Sequence, residues 1–96
     1  MTTLHIEHPI TDFDTWLAAF ERLHGPRVDG GVLKARIYRP IDDDNYVLID
    51  LDFATDEQAE QFQQFLRTRI WSTPDNAPAL AGTPITRILR AEPLPV

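Results

Sequence analysis

The stretch that decides the fold is Val32-Leu33-Lys34-Ala35-Arg36-Ile37-Tyr38-Arg39, then Pro40-Ile41-Asp42-Asp43-Asp44-Asn45, then Tyr46-Val47-Leu48-Ile49-Asp50-Leu51-Asp52-Phe53. Apolar and polar side chains alternate along the first and third runs, which is the period-two pattern of strands with one buried face. The turn-forming residues between them complete the pattern of a hairpin. We therefore predict two antiparallel strands, over residues 32–39 and 46–53.

The chain before the hairpin predicts a strand and a helix. Residues 2–8 alternate in the same way until Pro9 stops them. A capping box at Thr11-Asp12-Phe13-Asp14, followed by apolar side chains at helical spacing, predicts a helix that runs to about Leu23. We expect Gly25-Pro26 to end this helix, with Gly25 in the left-handed conformation, and residues 27–31 to form a loop.

The chain after the hairpin predicts a second helix and a fourth strand. A capping box at residues 55–58 and an apolar stripe at helical spacing indicate a helix over residues 56–71. A short helical turn over residues 74–81, started by a proline and ended by Gly82, is expected to lead into a strand over residues 85–91.

The element order is therefore β-α-β-β-α-β, which is the ferredoxin-like arrangement. Right-handed crossovers give an α+β fold in which a four-stranded antiparallel sheet has the order 4-1-3-2 and carries both helices on one face. The other face stays open. Nothing in the chain divides its 96 residues, so we expect residues 1–96 to form a single domain.

Alternation assigns each strand residue to one of two faces. The apolar face holds Leu4, Ile6, Leu33, Ala35, Ile37, Val47, Ile49, Leu51 and Phe53. The opposite face holds His5, Glu7, Val32, Lys34, Arg36, Tyr38, Tyr46, Leu48, Asp50 and Asp52. In the fourth strand, Arg87 or Arg90 joins whichever face the register selects.

Two interpretations of the second face remain open. A solvated sheet face in a monomer is the simpler one. The other is burial against the same face of a second copy. It is favoured because the face mixes amphipathic aromatic side chains with acids and bases that can neutralise one another, as packed and partly polar interfaces do. We therefore expect a homodimer formed through the open sheet face.

Composition excludes several classes of function. Fifteen acidic residues against nine basic ones give a net charge of −6, so we expect no nucleic-acid partner. No apolar run is long enough to cross a membrane, and residues 1–7 lack a targeting signal, so we expect a cytoplasmic protein without a membrane partner. The absence of cysteine removes thiolate chemistry and disulfides. We predict no metal site, because ion pairing with Arg36 accounts for the acids near His5.

Five residues are candidates for chemistry. His5 lies near acids that could hold a proton close to neutral pH, and His24 ends the first helix, where a loop could border a cavity. Each also has a purely structural interpretation, as an interface hydrogen bond for His5 and as a helix cap for His24. Trp16, Tyr38 and Trp71 could offer polar handles to an aromatic ligand, if the aromatic helical layer encloses a pocket.

Five segments together carry a family resemblance: Asp12-Phe13-Asp14-Thr15-Trp16-Leu17-Ala18-Ala19-Phe20, Arg36-Ile37-Tyr38-Arg39-Pro40, Asp42-Asp43-Asp44-Asn45-Tyr46-Val47, Phe53 with the helix from Ala59 to Phe62, and Leu80-Ala81-Gly82-Thr83-Pro84. The chain resembles the dimeric α/β-barrel superfamily, in particular the small proteins related to antibiotic-biosynthesis monooxygenases. The resemblance implies a homodimer whose two sheets meet face to face. It also implies a small-molecule cavity between sheet and helices in each subunit. His24-Gly25-Pro26-Arg27 shortens the first helix where relatives often continue it, which bears on the shape of that cavity.

Members of this superfamily include cofactor-independent monooxygenases, polyketide cyclases, lactone isomerases, haem proteins and proteins with no known activity. The resemblance therefore implies one of two functions. In the first, the homodimer binds an aromatic or polyketide-like metabolite and oxygenates, cyclises or isomerises it without a cofactor, with His5 or His24 exchanging protons. In the second, it is a non-catalytic binding or assembly domain.

Overall fold

The computed structural model describes residues 1–95. Its elements are β1 (Thr2–Pro9), α1 (Phe13–Arg22), α2 (His24–Asp29), β2 (Lys34–Tyr38), β3 (Tyr46–Phe53), α3 (Asp56–Phe65), a π-helical segment (Leu66–Ile70) and β4 (Ile85–Arg90). The strands form one sheet in the order β2-β3-β1-β4, with every neighbouring pair antiparallel. The predicted ferredoxin-like fold and its strand order are confirmed.

The core lies between one face of this sheet and the helices. Along β1 the residues alternate between buried and half-buried, and β3 does the same over most of its length. The largest side chains with almost no exposed surface come from these two central strands: Leu4, Val47, Leu51 and Phe53. Edge strands β2 and β4 have a neighbour on one side only, and their residues are more exposed.

The register of β4 shows which of its two arginines lies on the open face. Arg87 lies opposite His5, so it joins the open face, and Arg90 lies opposite Thr2 on the helical face. There the guanidinium of Arg90 donates to Asp56 at 2.6 Å.

The start of β2 corrects the predicted face of two residues. β2 begins at Lys34, so Val32 and Leu33 precede the strand and do not follow its alternation. Val32 packs against the core, although the alternation assigned it to the open face. Leu33 is 60% exposed, although the alternation assigned it to the core.

The start of α1 differs from the predicted capping box by one residue. Asp12, not Thr11, is the N-cap, and its carboxylate accepts from the backbone N–H of Thr15 at 2.9 Å. At α3 the prediction is correct, because the hydroxyl of Thr55 accepts from the N–H of Gln58 at 3.2 Å.

Gly25 and Pro26 do not end the helical region. They lie inside α2, which covers most of the predicted loop at residues 27–31. Pro26 is tolerated because it occupies the first turn, where a missing N–H breaks no hydrogen bond. The left-handed glycine is Gly31, with φ +90°, and it follows this second helix.

The second predicted helix has the expected extent but not a uniform geometry. After Phe65 it continues as the π-helical segment, where the N–H of Trp71 donates to the carbonyl of Leu66 at 2.8 Å. Residues 74–79 form turns and a bend, not the predicted helical turn, and Leu80 then forms a β-bridge with Ile10. Among residues 1–95, no helix is long and apolar enough to cross a membrane.

Candidate functional site

The open face carries a hydrogen-bonded network centred on His5. Strand alternation directs this side chain away from the helices, between β3 and β4. Nδ1 lies 2.6 Å from an Asp50 oxygen and Nε2 lies 2.8 Å from a Glu7 oxygen. Partial burial by itself would lower the pKa of His5, but the hydrogen bonds and negative charges of Glu7 and Asp50 outweigh it, and the pKa is raised. The structure therefore favours an imidazolium held between two carboxylates.

The network extends to Tyr46 on β3, whose hydroxyl donates to Glu7 on β1 at 2.8 Å. Hydrogen bonds from His5 and Tyr46 lower the pKa of Glu7. The hydrogen bond to Glu7 in turn raises the pKa of Tyr46. Glu7 is thus held as a carboxylate by donors on both of its oxygens.

A second ion pair lies beside this network. The guanidinium of Arg36 donates to both oxygens of Asp52, at 2.7 and 3.0 Å, and the hydroxyl of Thr3 donates to the same carboxylate at 2.7 Å. The hydrogen bonds from Arg36 lower the pKa of Asp52. Charge on the open face is therefore largely compensated within the chain. Within residues 1–95, no group of three or more histidines and carboxylates is arranged to hold a metal ion.

The second candidate site is a cavity of about 60 Å³ on the other side of the sheet, between β1, β3 and the helical layer. It is lined by His8 of β1, by Trp16 of α1 and by Trp71, which follows the π-helical segment, together with aliphatic side chains of the core. Continued alternation of β1 places His8 on the inner face, with only 3% of its surface exposed. Helix α1 supplies Trp16 and, one turn later, Phe20, whose rings stack with centroids 5.0 Å apart.

His8 is the titratable group of the cavity wall. Its Nδ1 lies 2.9 Å from the carbonyl of Pro9, which can only accept, so Nδ1 carries the proton. Nε2 therefore presents a lone pair, and it makes no hydrogen bond within residues 1–95. Trp16 and Trp71 pack edge-on to the imidazole with centroids 6.4 and 6.5 Å away. Burial lowers the pKa of His8, so the ring is neutral at neutral pH.

The volume of the cavity limits what it can hold in this conformation. An engineered cavity that binds benzene has a volume of about 150 Å³, so 60 Å³ is too small for an aromatic ring. A surface groove of about 320 Å³ lies on the far side of Trp71 and Leu80, two residues that line both spaces. These two side chains therefore form a wall that the groove and the cavity share.

The structure brings together two of the five predicted site residues. Trp16 and Trp71 share the cavity. His5 lies on the opposite face of the sheet, with both nitrogens engaged. Tyr38 is half-exposed on edge strand β2, and His24 is exposed at the start of α2, so neither lines the cavity.

Two residues of the cavity wall, His8 and Arg27, were not predicted from the sequence. His8 was not among the predicted site residues, although it shares the parity of the buried Thr2, Leu4 and Ile6 on the same strand, which predicts an inward side chain. Arg27 was assigned to a loop, whereas it belongs to α2 and reaches the cavity.

No protein-family model matches the chain, and no curated protein sequence matches it significantly. Solved structures do match. SnoaB, a cofactor-independent oxygenase from Streptomyces nogalater solved as a mutant, superposes with a TM-score of 0.68 at 13% identity, covering 97% of this chain and 94% of that one. The monooxygenase from the gene ActVA-Orf6 of Streptomyces coelicolor, in complex with Nanaomycin D, gives 0.61 at 18% identity, covering 99% and 92%.

A dimeric ferredoxin-like protein from an uncultured marine organism also matches, with a TM-score of 0.66 at 13% identity over 95% of this chain and 96% of that one. The predicted resemblance to the ferredoxin-like proteins related to antibiotic-biosynthesis monooxygenases is thus confirmed in the fold.

Proposed function

We propose that this protein is a homodimer that binds a small aromatic or polyketide-like molecule between its sheet and its helices and oxygenates it without a resident cofactor. The observation that carries the proposal is the convergence of His8, Trp16 and Trp71 on one cavity. Two proteins of the same fold support it, because one is a cofactor-independent oxygenase and the other is a monooxygenase crystallised with Nanaomycin D.

Each cavity residue has a distinct role in this proposal. Trp16 and Trp71 offer flat apolar surfaces and indole N–H donors, which suit a ring that carries oxygen atoms. His8 offers a neutral nitrogen in an apolar setting, where it can accept a proton from a hydroxyl or an acidic C–H of the ligand. The ring enters as Trp71 and Leu80 move aside.

The homodimer part of the proposal rests on the open face. Ion pairs already compensate the acids of the His5 and Arg36 clusters, so covering the face with a partner leaves none of these acids unpaired. Tyr38, Ile85 and Leu89 surround these pairs with apolar surface that is 43 to 53% exposed. A second copy of the same face would cover that surface.

A second candidate function is a non-catalytic assembly domain. The small volume of the cavity favours it, and so does His5, whose two nitrogens are both engaged in ion pairs.

A binding screen separates the two functions. The protein is heated with aromatic and polyketide-like compounds, since a ligand of the folded state raises the melting temperature. Hits are then tested for O₂ uptake without added flavin, haem or metal. We expect Trp16→Ala and His8→Ala to abolish binding of the hits, and His24→Ala, which alters an exposed residue outside the cavity, to retain it. A screen without hits would favour the assembly domain.

A further inference from the structure

Arg27 gives the cavity a positive charge that no ion pair neutralises. Within residues 1–95, the cavity wall contains no aspartate or glutamate, and His8 is neutral, so Arg27 is its one charged side chain. No carboxylate of these residues lies within 4 Å of the guanidinium. Burial lowers the pKa of Arg27, and the negative charge of Glu21 on α1 partly opposes this shift, although the two side chains form no ion pair.

Contacts with α1 hold the guanidinium in place. Its central carbon lies 4.0 Å from the centroid of the Phe20 ring, and one of its nitrogens donates to the carbonyl of Phe20. Phe20 itself stacks on Trp16, so the cation is an extension of the aromatic wall. An arginine carries five N–H donors, and only one of them is used in these contacts.

Helix α2 is the reason that Arg27 reaches this position. Gly30, at the end of α2, approaches Phe62 of α3 so closely that a Cβ atom would lie 2.7 Å from the ring, so this end of α2 packs against α3. Burial in this position lowers the pKa of Arg27, although a guanidinium remains protonated at any physiological pH. A partly dehydrated cation with unused donors is stabilised by an anion that replaces the lost water.

We infer that the ligand of the cavity carries an anionic oxygen, a carboxylate or a phenolate, which pairs with Arg27 while its ring packs against Trp16 and Trp71. The inference rests on the proposed binding function and narrows it to one chemical class. A planar carboxylate fits the parallel N–H groups of a guanidinium, which gives orientation as well as affinity.

Matched probes test the inference. The affinities of 2-naphthoate and of its neutral analogue 2-naphthamide are measured by tryptophan fluorescence at low ionic strength, since Trp16 and Trp71 both line the cavity. We expect wild-type protein to bind the carboxylate about tenfold more tightly than the amide. Arg27→Gln should remove this preference by weakening the carboxylate alone. Arg27→Lys should keep part of it, and Arg22→Gln, at an exposed position of α1, should keep all of it.

The outcomes separate this inference from the proposed function. Equal binding of both probes to wild type, or a preference that survives in Arg27→Gln, would overturn the role of Arg27 and leave the binding function standing. Failure of both probes to bind wild type at millimolar concentration would overturn the ligand class and count against the binding function itself. Arg27→Lys keeps the test informative if Arg27→Gln does not fold.

Discussion

His5 and Asp50 lie directly opposite each other on the two central strands, with Nδ1 of the imidazole 2.6 Å from a carboxylate oxygen. The second ring nitrogen is 2.8 Å from Glu7 on the same strand as His5. Both nitrogens donate only when the ring is protonated, so this pair of contacts stabilises the imidazolium. These contacts favour the cationic form of His5 on the open face, and the sheet separates the side chain from the cavity.

The His5 network predicts a loss of stability at alkaline pH. The pKa of His5 in the folded protein lies above its ordinary value of 6.5, so its stabilising contribution is complete below pH 6.5 and disappears as the pH rises through the folded-state pKa. We expect the urea midpoint of the wild type to fall as the pH is raised above 6.5, and His5→Gln to flatten this fall. His24→Gln, at an exposed site, should leave it unchanged. An equally steep fall in His5→Gln would contradict the assignment.

His8 predicts the opposite behaviour on the acid side. Burial lowers its pKa below 6.5, so its contribution is complete above pH 6.5 and is lost as the pH falls through the folded-state pKa, because the unfolded chain binds the proton more readily. His8→Asn removes the titrating ring but keeps an N–H that can donate to Pro9. We expect this variant to have a lower urea midpoint and a flatter profile below pH 6.5. An acid-side slope equal to that of the wild type would show that His8 titrates normally.

The open face predicts a change of mass in a single variant. Leu48 lies half-buried at the centre of this face, between Glu7 and Tyr38 on the neighbouring strands. Leu48→Glu would place an unpaired carboxylate in the dimer interface, so we expect a particle of 11.0 kDa in sedimentation, against twice that mass for the wild type. Val28→Glu makes the same kind of change on α2, where the side chain is 58% exposed, and should remain dimeric. A wild type that sediments as a monomer at micromolar concentration would refute the homodimer.

Gly25, inside α2, and Gly30, at its end, predict effects of opposite sign. A Cβ atom at Gly25 would meet nothing within 4 Å, so Gly25→Ala should stabilise the protein by about 0.5–1 kcal/mol through its effect on the unfolded chain. A Cβ atom at Gly30 would lie 2.7 Å from Phe62 and 3.1 Å from the carbonyl of Pro26, so Gly30→Ala should cost about 1–3 kcal/mol. Urea unfolding measures both. A destabilising Gly25→Ala would mean that α2 packs more closely than the structure shows.

The fold could be predicted because its central strands carry an unbroken alternation. The strand predicted over residues 46–53 has the observed bounds, since every second side chain of β3 is buried against the helices. Local rules failed where two neighbouring residues could serve equally well. Thr11 and Asp12 are both good caps, and only the backbone path decides between them. Gly25-Pro26 can stop one helix or begin the next, and here it lies in the first turn of α2.

The candidate site was less predictable because its residues come from distant elements. The aromatic character of the helical layer pointed to Trp16 and Trp71, and both line the cavity. His5 was predicted as a proton-exchanging residue because acids lie near it, but in the structure those acids form ion pairs with its ring. His8 lies three residues further along the same strand, and the odd separation places it on the opposite face. Its parity with the buried Leu4 would have been enough to find it.

The π-helical segment has a consequence for how relatives of this chain are aligned. A π turn acts as one additional residue inside an α-helix, and each residue of an α-helix advances the side chains by about 100°. Deleting one residue between Leu66 and Ile70 would restore regular winding and swing the indole of Trp71 away from the space it now borders. In a homologue without the π turn, a tryptophan aligned with Trp71 would point in a different direction around the helix axis. Correspondence beyond Leu66 must therefore be established by superposition and not by counting along the sequence.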